Sequence, residues 1–290
     1  MRTATLVRVG LFVVLTVVGA TRVFAETNDF SAAIEAMERD AGGVIGVYAI
    51  DTETGKELRH RSNERFAVAS TFKPLLVATV LAAVDNGDLS LSDELVVDNE
   101  KIVSYSPYIE TIGDGESTTL ADVSEAAVSL GDNTATNMLL ELIGGPDAFT
   151  EFMRRIGDDT TRVDRYETEL NANARGDLRD TSTPEAMAES LLRVLTSDVL
   201  SNESRLLLQD WMVASKTGMT RIRSGLPEDW RVGDKTGTGR NGAVNDIAVA
   251  WPPGRKPIVI AIYMSWSDAD NAELGTFHGP IAALVADRFR

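Results

Sequence analysis

The 290-residue chain is expected to fold as α/β plus all-α, with a helical domain inserted into a sheet domain. Three observations predict this. Apolar, β-branched runs stand near both ends: Val44 to Asp51, then Trp230 to Thr238, Ile247 to Trp251 and Pro257 to Ser265. Between them, apolar residues recur mostly at helical spacing. A helix-forming stretch stands at each extreme, Asn28 to Arg39 and Gly279 to Phe289. Strands distant in sequence must meet in one sheet, so the middle is an insertion. The expected division is 26–62 with 213–290 for the α/β domain and 63–212 for the helical domain, including the loop 158–183.

The first 25 residues read as a secretory signal peptide. Arg2 and Arg8 precede an apolar run from Val9 to Ala20, and Val23-Phe24-Ala25 offers a cleavage site after Ala25. Phe30, Ala33, Ile34 and Met37 give the first helix one apolar face, and Gly42-Gly43 ends it. After the strand to Asp51, a turn through Gly55 returns Lys56 to His60 as a hairpin. Pro74 to Val84 is apolar nearly all round, which predicts a central buried helix with Pro74 in its first turn. Leu95 to Gly115 is loop-rich. Thr118-Thr119 and Asp122 cap a helix over Leu120 to Leu130. Further helices are expected over Thr134 to Leu142, Ala148 to Ile156, Glu185 to Leu195 and Ser201 to Trp211. Residues 158–183 lack periodicity but mix both charge signs with Val163, Tyr166 and Leu170, the composition of an ordered loop pinned by ion pairs. Arg162 with Asp164 and Arg165 with Asp180 are the candidate pairs.

Composition narrows the function. Without its leader the chain has 265 residues, and the leader removes three of the 28 basic residues, leaving a net charge of −19 against 44 acids. So acidic a surface argues against nucleic acid or an anionic membrane as partner. No cysteine is present, so an exported chain must rely on its core. The two histidines, His60 and His278, form no ligand pattern and sit in no convincing catalytic triad. No metal or cofactor is expected.

What remains is Ser70-Thr71-Phe72-Lys73 at the mouth of the buried helix. On a helix Ser70 and Lys73 share one face, a desolvated lysine can serve as base, and free N–H groups point at what the serine attacks. By itself the motif reads more readily as an N-cap serine followed by a surface lysine. Three further stretches change the balance: Gly131-Asp132-Asn133, the run from Arg162 to Asn171 containing Glu167, and Lys235-Thr236-Gly237 on an expected strand. A second Lys-Thr-Gly, Lys216-Thr217-Gly218, has no strand before it and is set aside.

In order and spacing these four motifs resemble the class A serine β-lactamases over nearly all of the chain beyond the leader. The resemblance implies an antiparallel sheet flanked by the terminal helices, with the active site between sheet and helical domains. It implies hydrolysis of the β-lactam amide through an acyl-enzyme on Ser70. Lys73 takes the serine's proton, directly or in a relay with Glu167. The backbone N–H groups of Ser70 and Thr238 form the oxyanion hole. Glu167 activates the deacylating water, and Asn171 helps to hold it. Lys235, Thr236 and Thr238 meet the substrate carboxylate along the Gly237 strand. Val244 stands where many members carry an arginine, and Arg221 matches an alternative placement. Tyr105 lines the entrance, Asn133 binds the substrate's side-chain amide, and Asp132 orders the turn. The implied partner is a small β-lactam, and the implied state is a periplasmic or secreted monomer free of the membrane.

Two departures stand out. The usual Ser-Asp-Asn is here Gly131-Asp132-Asn133, so the hydroxyl that passes a proton to the lactam nitrogen is absent. Losing a general acid costs about 10²–10⁴ in rate. A water in the space left by glycine, Ser129 or Thr236 are the candidate substitutes. Restoring serine is expected to raise acylation unless the proton already has another route. The disulfide of some carbapenem-hydrolysing members is also absent, since Ala69 and Gly239 occupy its places. Two competing readings are a D-alanyl-D-alanine peptidase-like penicillin-binding protein, which has no need of Glu167 and Asn171, and a binding protein disabled by Gly131.

Overall fold

The computed structural model describes residues 29–290, so the expected leader lies outside the described residues. The helix α1 covers residues 29–41 and stops at Gly42, whose φ of 65° suits glycine. β1 (Val44–Asp51) and β2 (Glu57–His60) form the expected hairpin. β1 then pairs with β9 (Ile258–Ser265), β9 with β8 (Val244–Trp251) and β8 with β7 (Arg231–Thr238). The sheet order is therefore β2-β1-β9-β8-β7, antiparallel throughout, and the two ends of the chain meet at the β1–β9 ladder.

Alternation along these strands builds a core on each face. Ile45, Val47, Ile260 and Ile262 face Phe30 and Ile34 of α1 and Ile281 and Val285 of α10 (His278–Phe289). Tyr48, Ile247, Val259 and Tyr263 face the helical layer. There α6 (Pro184–Thr196) and α7 (Asn202–Val213) lie on the sheet, with α2 (Lys73–Asp85) behind them. α2 is buried from Lys73 to Leu81, as its uniformly apolar sequence requires. α4 (Asn133–Ile143) and α5 (Pro146–Arg155) close its far side.

Three differences from the sequence expectation matter for the site. The helix expected over 120–130 is α3 (Leu120–Glu125), followed by a π-helical turn, Ala126–Leu130, which ends at Gly131 with φ 75°. β8 starts at Val244, three residues before the apolar signal, because Asn245 and Asp246 are buried polar residues. Asn245 Nδ2 donates to Ala67 O (2.8 Å), and Asp246 Oδ2 accepts from Ile222 N (3.0 Å). The segment 158–183 holds only a 3₁₀ turn (Glu169–Asn171) and β6 (Thr181–Ser182), which pairs with β3 (Phe66–Ala67). The short β4 (Glu94–Val96) with β5 (Ser117–Thr119), α8 (Ile222–Gly225) and α9 (Asn271–Gly275) were not expected. Elements this short carry no resolvable periodicity.

Phe149 on α5 is fully buried and meets Phe72 edge to face at 5.5 Å between ring centroids. Phe149→Ala is expected to cost about 3–5 kcal/mol of stability, read as a lower urea midpoint with an unchanged slope.

Candidate active site

Ser70 lies in a 3₁₀ turn, Ala69–Phe72, that leads directly into α2. The turn is tied from three sides. Val68 N donates to Asp180 O (2.9 Å), Asn245 reaches Ala67 O, and Thr71 Oγ1 bonds both Val68 O and Tyr263 OH (2.6 Å each). Ala69 takes φ 42°, an uncommon conformation held by these contacts. β7 passes so close that a Cβ on Gly237 would lie 3.1 Å from Ser70 N. Glycine at 237 lets the strand bring Thr238 beside the serine's backbone.

One helical turn on, Lys73 is fully buried. Its Nζ donates to Gly131 O (2.8 Å) and Asn133 Oδ1 (2.6 Å), and stands 3.1 Å from Glu167 Oε1. Burial pushes its pKa down, and the Glu167 charge opposes that shift. Ser70 Oγ donates to the same Glu167 Oε1 at 3.3 Å. Serine, lysine and glutamate therefore converge on one carboxylate oxygen. The other, Oε2, accepts from Asn171 Nδ2 (2.6 Å). Asn171 Oδ1 is buried and finds no partner among the described residues, leaving an acceptor beside the carboxylate.

Glu167 is carried by the aperiodic loop, and the loop's ion pairs fix it. Asp180 is fully buried and accepts from Asp164 N (2.7 Å), Arg165 N (3.0 Å) and Arg165 Nε (2.5 Å). Arg162 pairs with Asp164, as its spacing suggests. Asn137 on α4 clamps the glutamate's backbone: its Oδ1 accepts from Glu167 N and its Nδ2 donates to Glu167 O, both at 2.8 Å. The peptide bond between Glu167 and Thr168 is cis. Asn137 was missed in the sequence, although it sits one turn beyond Asn133 on the same helix face.

A cavity of about 360 Å³ opens over these groups. Ser70, Tyr105, Gly131, Asn133, Asn171, Arg221, Lys235, Thr236 and Thr238 all line it, joined by Thr217. Asp132 lies behind the wall, accepting from Ala135 N, Tyr108 N and Ile109 N. Arg221 Nη1 donates to Gly237 O (3.1 Å) and Asn245 O (2.6 Å), and Nη2 to Thr238 Oγ1 (2.8 Å). Lys235 is almost wholly buried, and its Nζ donates to Thr236 O (2.9 Å). Burial, aided by the Lys73 charge, lowers its pKa to about 7. Tyr105 (59% exposed, φ 64°) stands at the mouth. Neither histidine lines the cavity.

Two expectations need correction. Lys216-Thr217-Gly218 is not on a strand, as expected, but it is not irrelevant: Thr236 Oγ1 donates to Thr217 Oγ1 (2.8 Å), so both hydroxyls share the wall. Ser129 is no substitute for a hydroxyl at 131. It lines a separate cavity with Tyr108 and Lys216, because the π-turn directs it away from the cleft.

The family described as "Beta-lactamase enzyme family" matches residues 29–289, nearly every described position. The chain belongs to the class A serine β-lactamases. Among class A β-lactamases, it is 50% identical to the solved structure of the last common ancestor of Gram-negative bacteria class A enzyme (GNCA4), with a TM-score of 0.88 over 90% of this chain and 99% of that one. It is 44% identical to β-lactamase AST-1 of Nocardia asteroides, over 88% of this chain and 79% of that protein. It is also 44% identical to the carbapenem-hydrolyzing β-lactamase KPC of Klebsiella oxytoca, over 85% and 84% respectively. This β-lactamase therefore carries the antiparallel sheet, the helical layer and the hydrolytic activity of its family, with glycine in the second motif.

Asp180→Ala removes the acceptor of three loop donors and leaves Arg165 only its longer ion pair with Asp177 (3.7 Å). Breaking such a pair costs about 3–5 kcal/mol. The loop 162–180 is expected to exchange its amide hydrogens faster by a corresponding factor, while the amides of β9 keep their protection.

Proposed function

We propose that this enzyme hydrolyses β-lactams through an acyl-enzyme on Ser70 that a Glu167-activated water resolves. The observation that carries the proposal is the convergence of Ser70 Oγ and Lys73 Nζ on Glu167 Oε1. As a substrate binds, the Ser70 proton moves to Glu167, with the Lys73 ammonium holding the carboxylate in place. Ser70 Oγ already donates to Glu167 Oε1 (3.3 Å), so the relay through Glu167 is the route the geometry supports. Oγ attacks the lactam carbonyl, and the N–H groups of Ser70 and Thr238 receive the oxyanion. The substrate carboxylate meets Lys235, Thr236 and Thr238, with Arg221 holding Thr238 Oγ1. Asn133, tied to Lys73 and Ser104 O, faces the substrate's side-chain amide. Tyr105 covers the open side.

Deacylation needs a water between Ser70 and Glu167. The unpartnered Asn171 Oδ1 supports holding that water there, with Glu167 taking its proton. A D-Ala-D-Ala peptidase has no use for this second arm. The leader-like sequence of residues 1–25 supports an exported, periplasmic or secreted enzyme. No helix among the described residues is long and apolar enough to cross a membrane.

Steady-state hydrolysis of a penicillin and a chromogenic cephalosporin, with mass spectrometry of the quenched protein, tests this reading. Ser70→Ala is expected to abolish turnover and adduct. Glu167→Ala is expected to slow deacylation about 10²–10⁴-fold and to accumulate a stable adduct on Ser70. Unchanged deacylation in Glu167→Ala overturns the role of Glu167.

A further inference from the structure

Opening the lactam requires a proton at the leaving nitrogen, and residue 131 has no hydroxyl to give one. Four groups around that position are candidates. Ser129 faces another cavity. Thr236 already spends its hydroxyl proton on Thr217 Oγ1. Lys73 has an acceptor for each of its three N–H bonds: Gly131 O, Asn133 Oδ1 and Glu167 Oε1. Lys235 differs. A Cβ added at residue 131 would lie 3.3 Å from Lys235 Nζ, closer than any other neighbour of that position. The ammonium thus stands at the edge of the space that a serine side chain would fill. It lines the cavity together with Ser70, and among the described residues only one hydrogen-bond acceptor, Thr236 O, is found for its three N–H bonds.

We propose that Lys235 is the general acid of this enzyme, giving its proton directly to the lactam nitrogen across the gap at Gly131. The inference rests on acylation of Ser70 as described above. In that step the Oγ–C bond forms while the Ser70 proton passes to Glu167. The C–N bond breaks with its electron pair going to nitrogen, and nitrogen takes a proton from Lys235 Nζ. Lys235 is left as a neutral amine and regains a proton from solvent through the cleft. Glu167 gives up the proton taken from Ser70 to solvent through the same cleft and returns as a carboxylate for deacylation. An ordinary lysine holds its proton too tightly to be an effective acid near neutrality. Here burial and Lys73 lower the Lys235 pKa to about 7, against the opposing charges of Asp234 beside it, Asp246 on β8 and Glu167 across the cleft. The donor form exists below that value and is lost as pH rises through it. Substrate carboxylate, bound at the same ammonium, shifts the loss upward.

The test is single-turnover acylation at saturating penicillin, in a double-mutant cycle of Lys235→Arg and Gly131→Ser. Arginine keeps the cation for the carboxylate but does not release a proton. In the native background Lys235→Arg is expected to slow acylation about 10²-fold with little change in KM. With Gly131→Ser present, the same change is expected to cost about tenfold less. Equal losses in the two backgrounds overturn the proposal and point to a water in the gap. The pH profile gives a second readout that needs no change at 235. Native acylation is expected to fall on the alkaline side, at or above pH about 7, and Gly131→Ser to remove that fall, so that its gain over the native enzyme appears mainly at alkaline pH. The same alkaline fall in both proteins overturns the proposal. Mass spectrometry separates the two levels. An adduct on Ser70 with equal losses removes the role of Lys235 alone, whereas no adduct on Ser70 removes the acyl-enzyme reading and this inference with it.

Discussion

The site depends on one buried ion pair. Lys73 and Glu167 have no exposed side-chain surface and stand 3.1 Å apart. Taking two charges out of water costs several kcal/mol for each, and their attraction offsets this only where every remaining lone pair and proton is matched. The surroundings supply the matching. Gly131 O and Asn133 Oδ1 complete the lysine, Ser70 and Asn171 complete the carboxylate, and Asn137 fixes the glutamate's backbone. These partners come from four places: the turn before α2 (Ser70), the end of the π-turn (Gly131), α4 (Asn133 and Asn137) and the loop (Asn171). The pair thus sets the distance between the helical layer and the loop.

That constraint explains the order in the aperiodic loop. Arg162, Asp164, Arg165 and Asp180 are not simply a solvated face. Asp180 is buried, and its backbone also holds Val68, two residues before the serine. The same few residues therefore place both the carboxylate and the nucleophile. On the opposite wall, glycine at 237 lets β7 approach Ser70 N, and Arg221 reaches across from the loop after α7 to the β7 carbonyl and hydroxyl. The arginine is mostly buried, which lowers its pKa. Its three donated bonds go to Gly237 O, Asn245 O and Thr238 Oγ1, which tie the guanidinium to β7 and β8.

Much of the frame was legible in the sequence. The hairpin at 44–60, the all-apolar α2, the three late strands and the terminal helix declare themselves by period, and the Ser70, Glu167 and Lys235 stretches by residue type. The failures share a cause. β8 was read short because Asn245 and Asp246 are polar, and only their buried partners show that they belong to a strand. The break of a helix into a π-turn at Ala126 leaves no compositional mark, yet it turns Ser129 away from the cleft. Thr217 was discarded with its motif because it lacks a strand. It reaches the site through a contact nineteen residues away in sequence, with Thr236.

The sequence by itself determined the inventory: a nucleophile beside a lysine, a glutamate with an asparagine four residues on, a cationic strand, and a glycine where a hydroxyl is usual. Residue types and local spacing suffice for that, because they follow from covalent neighbours and from the periods of helix and strand. Only the tertiary structure decided which of these groups are charged, paired or free to act. In sequence Lys73 opens an apolar helix and Lys235 lies inside a strand, and neither setting tells how its protons are used. One has an acceptor for each proton, and the other faces the gap at Gly131 with a single acceptor among the described residues. That difference arises from the long-range approach of Lys235 on β7 to Gly131 at the end of the π-turn, and an approach of that kind has no local signature in a chain.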